Sequence, residues 1–467
     1  MDFMLIQSYL EKLPNLEQLS LLPEMKNLMK KFGNSSVEEK LLEILDARHL
    51  VISTAKSEDL VKKLDFSMNF YISEVLAFFK DEKEHNIKKV INCMGTIYSE
   101  FIGGKFYSKE LLRDFVDSYS YYNNFRYDVN KGKEIIIEEE ITELLKVYNK
   151  EAEYLVFSNF SGAIFTLLSS YFKDYKIISS IRESYIFEND LDLNRLLDEF
   201  TSSKKVVGSL NKISIEDYKK EIVDKSLLLL SDFYGNGLEG LAKLKDEDFQ
   251  TLVQNEKSLL VSDRFYLSTK NKEIISRGFN FSKTLEKANL ILADFSKNED
   301  LPNCVILAGN KETINAIKNS SFYKMFYPSK EIETLLYFSL TKKISDKKED
   351  TYLENILLLD EGKLKKRNLK FVEELQKTLE NKAEIGLLEG PYLKIEEGVS
   401  YKEAFNRELI VINPLEKTCE EIDLELKNSE TPVLCWINEG SLLINLQLVD
   451  KKNEKVLLEI LSQVLKK

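Results

Sequence analysis

The chain has 467 residues, with 66 Lys or Arg against 78 Asp or Glu and a formal net charge of −12. Apolar residues make up 43% and aromatic residues 11%, enough for sizeable cores, so wholesale disorder is excluded. No apolar run approaches the roughly 20 residues that span a bilayer, Met1-Asp2-Phe3 opens no leader pattern, and a cytoplasmic multi-domain protein is expected.

Residues 1–65 read as helical. Leu16, Leu19, Leu22, Met25, Leu28, Met29 and Phe32 recur at three- and four-residue spacing, the stripe of an amphipathic helix. Gly33-Asn34 stops it, and Ser36-Val37-Glu38-Glu39 has the form of a capping box opening a second helix through Leu41, Leu42, Ile44 and Leu45. Residues 66–90 read as a charged helical connector.

From about residue 150 the rhythm changes. Short apolar runs appear at Tyr154–Phe157, Lys176–Ile178, Lys205–Val207, Leu227–Leu230, Leu259–Val261, Leu290–Leu292 and Cys304–Leu307. Each is too short for a core helix, as fully buried strands are. Helix-like stretches separate most of them: Gly162–Phe172, Asp192–Phe200, Ser214–Ile222 and Lys243–Gln254. Alternating strand and helix implies right-handed crossovers and a parallel sheet covered on both faces. Only Ala293–Asn303 separates the last two runs, too little for a crossover helix, so the seventh strand returns antiparallel to the sixth. The expected class is α/β, a seven-stranded mostly parallel sheet spanning residues 91–330. A smaller α/β domain follows over 331–467, with helices at Glu331–Lys342 and Leu364–Leu379, strands at Leu409–Ile412, Val433–Ile437 and Ser441–Leu446, and a closing helix at Val456–Leu465. Asn438-Glu439-Gly440 reads as a hairpin turn.

Ligands of open parallel sheets bind beyond the carboxyl ends of the strands. The polar residues following the runs are therefore the candidates: Ser158-Asn159-Phe160-Ser161-Gly162, Ser179-Ser180, Ser231-Asp232, Ser262-Asp263 and Asp294-Phe295-Ser296-Lys297. Ser158–Gly162 leads from a strand into a helix, where small residues and a helix N-terminus suit a phosphate; an ordinary N-cap loop is the competing reading. The G-x-G-x-x-G fingerprint of dinucleotide sites is absent. Asp263 ends a buried strand and needs a cation. Lys297, on the turn between the last two strands, reaches the same edge. An imine-forming lysine with an aspartate for a ring nitrogen is the pyridoxal-phosphate arrangement; a surface lysine among Asp294, Glu299 and Asp300 is the alternative. With only His49 and His85, and Cys93, Cys304, Cys419 and Cys435 forming no C-x-x-C pair, no metal site or Ser-His-Asp triad is expected.

These residues resemble a family. Val90-Ile91-Asn92-Cys93-Met94-Gly95 is similar to the V-I-N-A-T-G of bacterial selenocysteine synthases (L-seryl-tRNA(Sec) selenium transferases). Tyr122-Asn123-Asn124-Phe125-Arg126-Tyr127-Asp128-Val129, followed by Gly132-Lys133, resembles Y-S-N-L-E-Y-D-L-x-x-G-K, and Val207-Gly208-Ser209-Leu210-Asn211-Lys212-Ile213 with Asp217-Tyr218 resembles V-G-T-T-N-R-T-x-x-x-D-Y. The resemblance implies a fold-type-I pyridoxal-phosphate-dependent transferase whose small N-terminal helical domain binds tRNA. On the motifs, Lys297 falls on the lysine of S-G-D-K that forms the imine, and Asp263 on the aspartate of D-L-G-S-G that meets the pyridine nitrogen. Ser158, Asn159, Ser161 and Gly162 fall on the phosphate loop, Tyr185 near the cofactor ring, and Asp232 where the family has the His of K-V-H-T-S-N. The implied activity is conversion of seryl-tRNA(Sec) to selenocysteinyl-tRNA(Sec) with selenophosphate, through a dehydroalanyl intermediate, by a homo-oligomer with active sites near subunit boundaries. A diverged pyridoxal-phosphate lyase or transferase for another amino substrate, and a non-catalytic scaffold, are the alternatives.

Several motif cations are replaced. H-T-N-L-G-R-A reads Ser99-Glu100-Phe101-Ile102-Gly103-Gly104-Lys105, G-K-R-G-S-R reads Gly132-Lys133-Glu134-Ile135-Ile136-Ile137, and R-A-L-R reads Met325-Phe326-Tyr327-Pro328. Lys105 and Lys133 are left as candidate substrate-binding cations, and a lone lysine replaces a guanidinium fork poorly on phosphate-type oxyanions.

Overall fold

The computed structural model describes residues 3–466 except 56–57, 84–86, 100, 104–106, 184–185, 188–190, 202, 234–241, 271, 298–299, 346–351, 380–381, 397–398 and 400–403. The chain divides into two compact units, Met1–Lys89 and Val90–Lys467.

The first unit is helical. The long apolar stripe is cut in two, Leu16–Ser20 and Pro23–Phe32, because Pro23 has no N–H to continue a helix and takes its first turn instead. Gly33, at φ 91, ends the second piece, and the next helix starts directly at Asn34 and runs to Thr54, so the Ser36 capping box is not used as a start. Residues 66–90 do not form a connector. Met68–Lys83 is a helix whose Tyr71, Val75 and Phe79, at i, i+4 and i+8, are buried with Leu19, Met25, Leu28, Val37 and Leu41. Its apolar face belongs to the core of this unit, and the unit boundary falls after Lys89.

The second unit holds a seven-stranded sheet: β1 (Glu153–Phe157), β2 (Lys176–Ser180), β3 (Ser203–Val207), β4 (Ser226–Asp232), β5 (Ser258–Ser262), β6 (Leu290–Asp294) and β7 (Val305–Gly309). The spatial order is β1-β7-β6-β5-β4-β2-β3. Every pairing is parallel except those of β7, which runs antiparallel to both β6 and β1. The short β6–β7 link decides this, as the spacing anticipated. Alternate side chains feed two cores. Leu228, Leu230 and Leu260 point to one face with Tyr218, Leu252 and Phe281 from covering helices. Leu227, Leu229, Leu259 and Val261 point to the other, where the helices Phe160–Ser169 and Leu193–Phe200 lie. Burying each such side chain contributes about 1.5–3 kcal/mol, so the layers are held from both sides.

The unit also holds a five-stranded sheet. It contains β8 (Ala383–Glu396), β9 (Phe405–Pro414), β10 (Trp436–Asn438) and β11 (Ser441–Ile444), in the order β10-β11-β9-β8, with the short strand Thr96–Tyr98 added parallel to β8. The expected strand Val433–Ile437 is broken at Cys435, and Glu439 (φ 48) with Gly440 (φ 76) makes the expected tight turn into β11. The helices Glu361–Leu379 and Glu454–Lys466 cover this sheet through Phe371, Leu375, Leu457 and Leu461. No described helix is long and apolar enough to cross a membrane.

Candidate active site

Parallel strands bring their carboxyl ends to one edge, and the candidate residues collect there. Asp263, the residue after β5, is 1% exposed. Its carboxylate accepts a hydrogen bond from Lys297 Nζ at 3.0 Å. Lys297 stands on the turn after β6, the strand hydrogen-bonded to β5, so neighbouring strands carry acid and amine to the same point. The aspartate thus has the cation its burial demands.

Lys297 has a second acid partner that sequence reasoning missed. Glu396, the last residue of β8, forms an ion pair with the same Nζ. Leu393 and Ile395 anchor this strand in an apolar cluster, and alternation turns Glu396 the other way. Burial pushes the Glu396 carboxyl up to about 7; Lys297 opposes that rise, and the charges of Asp263 and Asp294 add to it. Its only signal in the sequence is the alternation Leu393-Lys394-Ile395-Glu396, and nothing there names Lys297 as the partner.

The loop after β1 enters the Phe160–Ser169 helix as expected. Asn159 is the N-cap, its Oδ1 accepting from the Gly162 N–H at 2.7 Å. The Ser158 N–H donates to the Phe326 carbonyl at 2.8 Å, and the Ser158 hydroxyl accepts from the Asn159 amide at 3.2 Å. A Cβ on Gly162 would lie 2.4 Å from the Phe326 ring, so only glycine allows this approach. Ser161 occupies the first turn of the helix, whose N–H groups have no partner four residues back.

Two candidates are placed elsewhere. The β4–β5 register sets Asp232 beside Ser262, the last residue of β5 and the residue before Asp263. Asp232 is ion-paired with Arg264 (3.5 Å), whose Nη2 also donates to the Phe233 carbonyl at 2.7 Å. Both line a cavity of about 400 Å³ with Arg182, Glu183, Tyr218 and Arg277. Asp232 is therefore not part of the Lys297 cluster. Lys133 is exposed on the hairpin that pairs Tyr127–Asp128 with Lys133–Glu134, and is not part of the cluster either. Lys105 and Tyr185 lie outside the described residues.

The residues present fit pyridoxal phosphate. A buried carboxylate suits a protonated ring nitrogen, an amine stands at the same point, and a helix N-terminus flanked by Ser158 and Ser161 suits the phosphate. The Asp263–Lys297 contact means that the lysine ammonium now plays the part that a pyridinium N–H can take over.

Known proteins resemble the chain along most of its length. The family model described as L-seryl-tRNA selenium transferase matches residues 90–450. The L-seryl-tRNA(Sec) selenium transferase of Aquifex aeolicus is 23% identical over 473 residues, covering 94% of this chain and 100% of that protein. The Aliarcobacter butzleri protein of the same name is 24% identical over 341 residues, covering 71% of this chain and 70% of that protein. Among solved structures, a D-glucosaminate-6-phosphate ammonia-lyase superposes with a TM-score of 0.54 at 13% identity, covering 81% of this chain and 96% of that one. The seven-stranded sheet is thus the large domain of a fold-type-I pyridoxal-phosphate enzyme. With a match over most of its length, the chain belongs to the L-seryl-tRNA selenium transferase family.

Proposed function

We propose that the chain converts seryl-tRNA(Sec) to selenocysteinyl-tRNA(Sec), replacing the seryl hydroxyl by selenium from selenophosphate, as a pyridoxal 5′-phosphate-dependent homo-oligomer. The observation that carries this reading is the Lys297–Asp263 contact at the carboxyl edge of the sheet. Pyridoxal phosphate supplies an aldehyde that captures amines and a ring that takes up the electrons left at Cα. Asp263 holds positive charge on the ring nitrogen, which keeps the ring an electron sink. Lys297 would hold the aldehyde and, once the seryl amine had replaced it, its Nζ would move the proton at Cα. The Ser158–Gly162 turn holds the phosphate, and the Met1–Lys89 unit is the tRNA-binding part.

The test is borohydride reduction of the cofactor-loaded protein followed by peptide mapping. The label is expected on Lys297 and absent from Lys297→Ala; a label elsewhere, or none, refutes the reading. Conversion of seryl-tRNA(Sec) with selenophosphate by the purified protein then checks the substrate. One observation favours a second reading, a diverged pyridoxal-phosphate lyase or transferase. Where the family motif R-A-L-R has arginines, this chain has Met325 and Pro328, and Phe326 between them packs on Gly162. Turnover of a free amino acid, with no response to seryl-tRNA(Sec), identifies that case.

A further inference from the structure

We infer that Glu396 receives the substrate's ammonium group and makes the site selective for amines whose carboxyl is blocked, an aminoacyl ester rather than a free amino acid. This rests on the reading above, because it takes Lys297 as the cofactor-binding amine. Lys297 Nζ is shared between two buried carboxylates, Asp263 and Glu396, which come from different sheets of the same unit. When Lys297 is committed to the cofactor, Asp263 gains the ring nitrogen in exchange, and Glu396 gains nothing comparable. The side chain of Glu396 is only 14% exposed.

Among the described residues, the other groups facing it do not supply a cation. Asp263 and Asp294, from the β5 and β6 ends, are both acids that raise its proton affinity. Tyr98, its register partner on the added strand, carries no charge at neutral pH. Lys394, on the same face of β8, directs its ammonium over the Trp436 ring at 5.9 Å. The cation that restores the balance is the one that replaces Lys297 in the reaction, the ammonium of the incoming substrate.

The same charges set the selectivity. A free amino acid brings a carboxylate along with its ammonium, into a neighbourhood of Asp263, Glu396 and Asp294. An ester brings the ammonium alone. Like charges held together in a low-dielectric site repel strongly, so the two substrates differ in affinity by their one extra charge. Proton flow balances as well. The substrate must lose one proton to become a nucleophilic amine; Glu396 carboxylate takes it, becoming the neutral acid, and returns it to the Lys297 amine once that amine is freed. Burial and the charges of Asp263 and Asp294 hold the Glu396 carboxyl above the ordinary carboxylate range, which suits it to carry that proton in transit.

The test uses the full chain loaded with pyridoxal phosphate and follows the visible band on titration with L-serine methyl ester or free L-serine. The wild type is expected to respond to the ester at a concentration roughly tenfold or more below that for serine, the scale of one charged hydrogen bond. Glu396→Gln raises the ester concentration needed by roughly tenfold and narrows the gap to serine; Glu396→Asp, which keeps the charge, restores most of the preference. A wild type that favours neither compound overturns the inference, and so does E396Q with the wild-type preference intact. Should E396Q fail to load, E396D decides, since loss of the preference with the charge retained also overturns it. If the wild type shows no band and borohydride fixes nothing on Lys297, the proposed function falls and this inference with it. A label on Lys297 with no ester preference removes only the role of Glu396.

Discussion

Replacing Lys297 by alanine tests the site through stability alone, in the cofactor-free protein. Lys297 Nζ is the cation between Asp263, 1% exposed, and Glu396, 14% exposed. Removing it strands two neighbouring buried carboxylates, and breaking a buried pair in this way costs about 3–5 kcal/mol. That cost depends on pH in a defined direction. Glu396 is already raised to about 7 despite two favourable interactions with Lys297, and without them it rises further. An acid whose folded-state pKa exceeds its unfolded value adds stability below the unfolded value and loses it as pH rises through the folded one. The variant is therefore expected to lie closer to the wild type near pH 5, where Glu396 takes up its proton, and several kcal/mol below it near pH 8. Urea unfolding of both proteins at the two pH values measures the difference. An equal loss at both values, or none at either, refutes the buried triad.

Glu183 makes a second titration test. It is 3% exposed, accepts from the Ser180 N–H and hydroxyl at 2.5 Å, and burial pushes it up to about 7. The folded protein therefore loses about 3 kcal/mol of stability as pH rises from about 4.5 through 7, and Glu183→Gln flattens that part of the pH–stability curve. Asp232→Asn removes one ion pair of Arg264 and destabilises the protein by about 1–3 kcal/mol. The visible band of bound pyridoxal phosphate is unchanged in that variant, since Asp232 pairs with Arg264 while Asp263 pairs with Lys297; loss of the band contradicts that division. Gly162→Ala drives a Cβ into the Phe326 ring, costs about 1–3 kcal/mol and weakens cofactor loading, and Phe326→Ala in the same chain recovers part of both. Thermal melts and equilibrium dialysis check the pair.

The sheet and its active edge were legible because they are written locally. A strand buried on both faces needs a continuous apolar run, and Leu227–Leu230 or Leu290–Leu292 can be little else. The length of the β6–β7 link settles its direction by chain geometry, and Asp263 with Lys297 follows from where those strands end. The helix Met68–Lys83 reads as a connector because its charged residues obscure a three-residue apolar stripe that matters only once a core receives it. β8 was missed: Gly386, Gly390 and Pro391 break the apolar pattern, and its pairing with β9 along most of its length holds it as a strand regardless.

The residue sequence alone thus determines the order of strands and helices, the antiparallel return of β7, and the acid and amine that meet at its edge. Which partner each polar residue meets is a tertiary matter. Asp232 and Asp263 look equivalent as strand-end carboxylates, yet one pairs with Arg264 and the other with Lys297. Glu396 reaches Lys297 only because a strand of the second sheet ends against the first, and long-range burial, which no local pattern encodes, turns an ordinary glutamate into the second acid of the site.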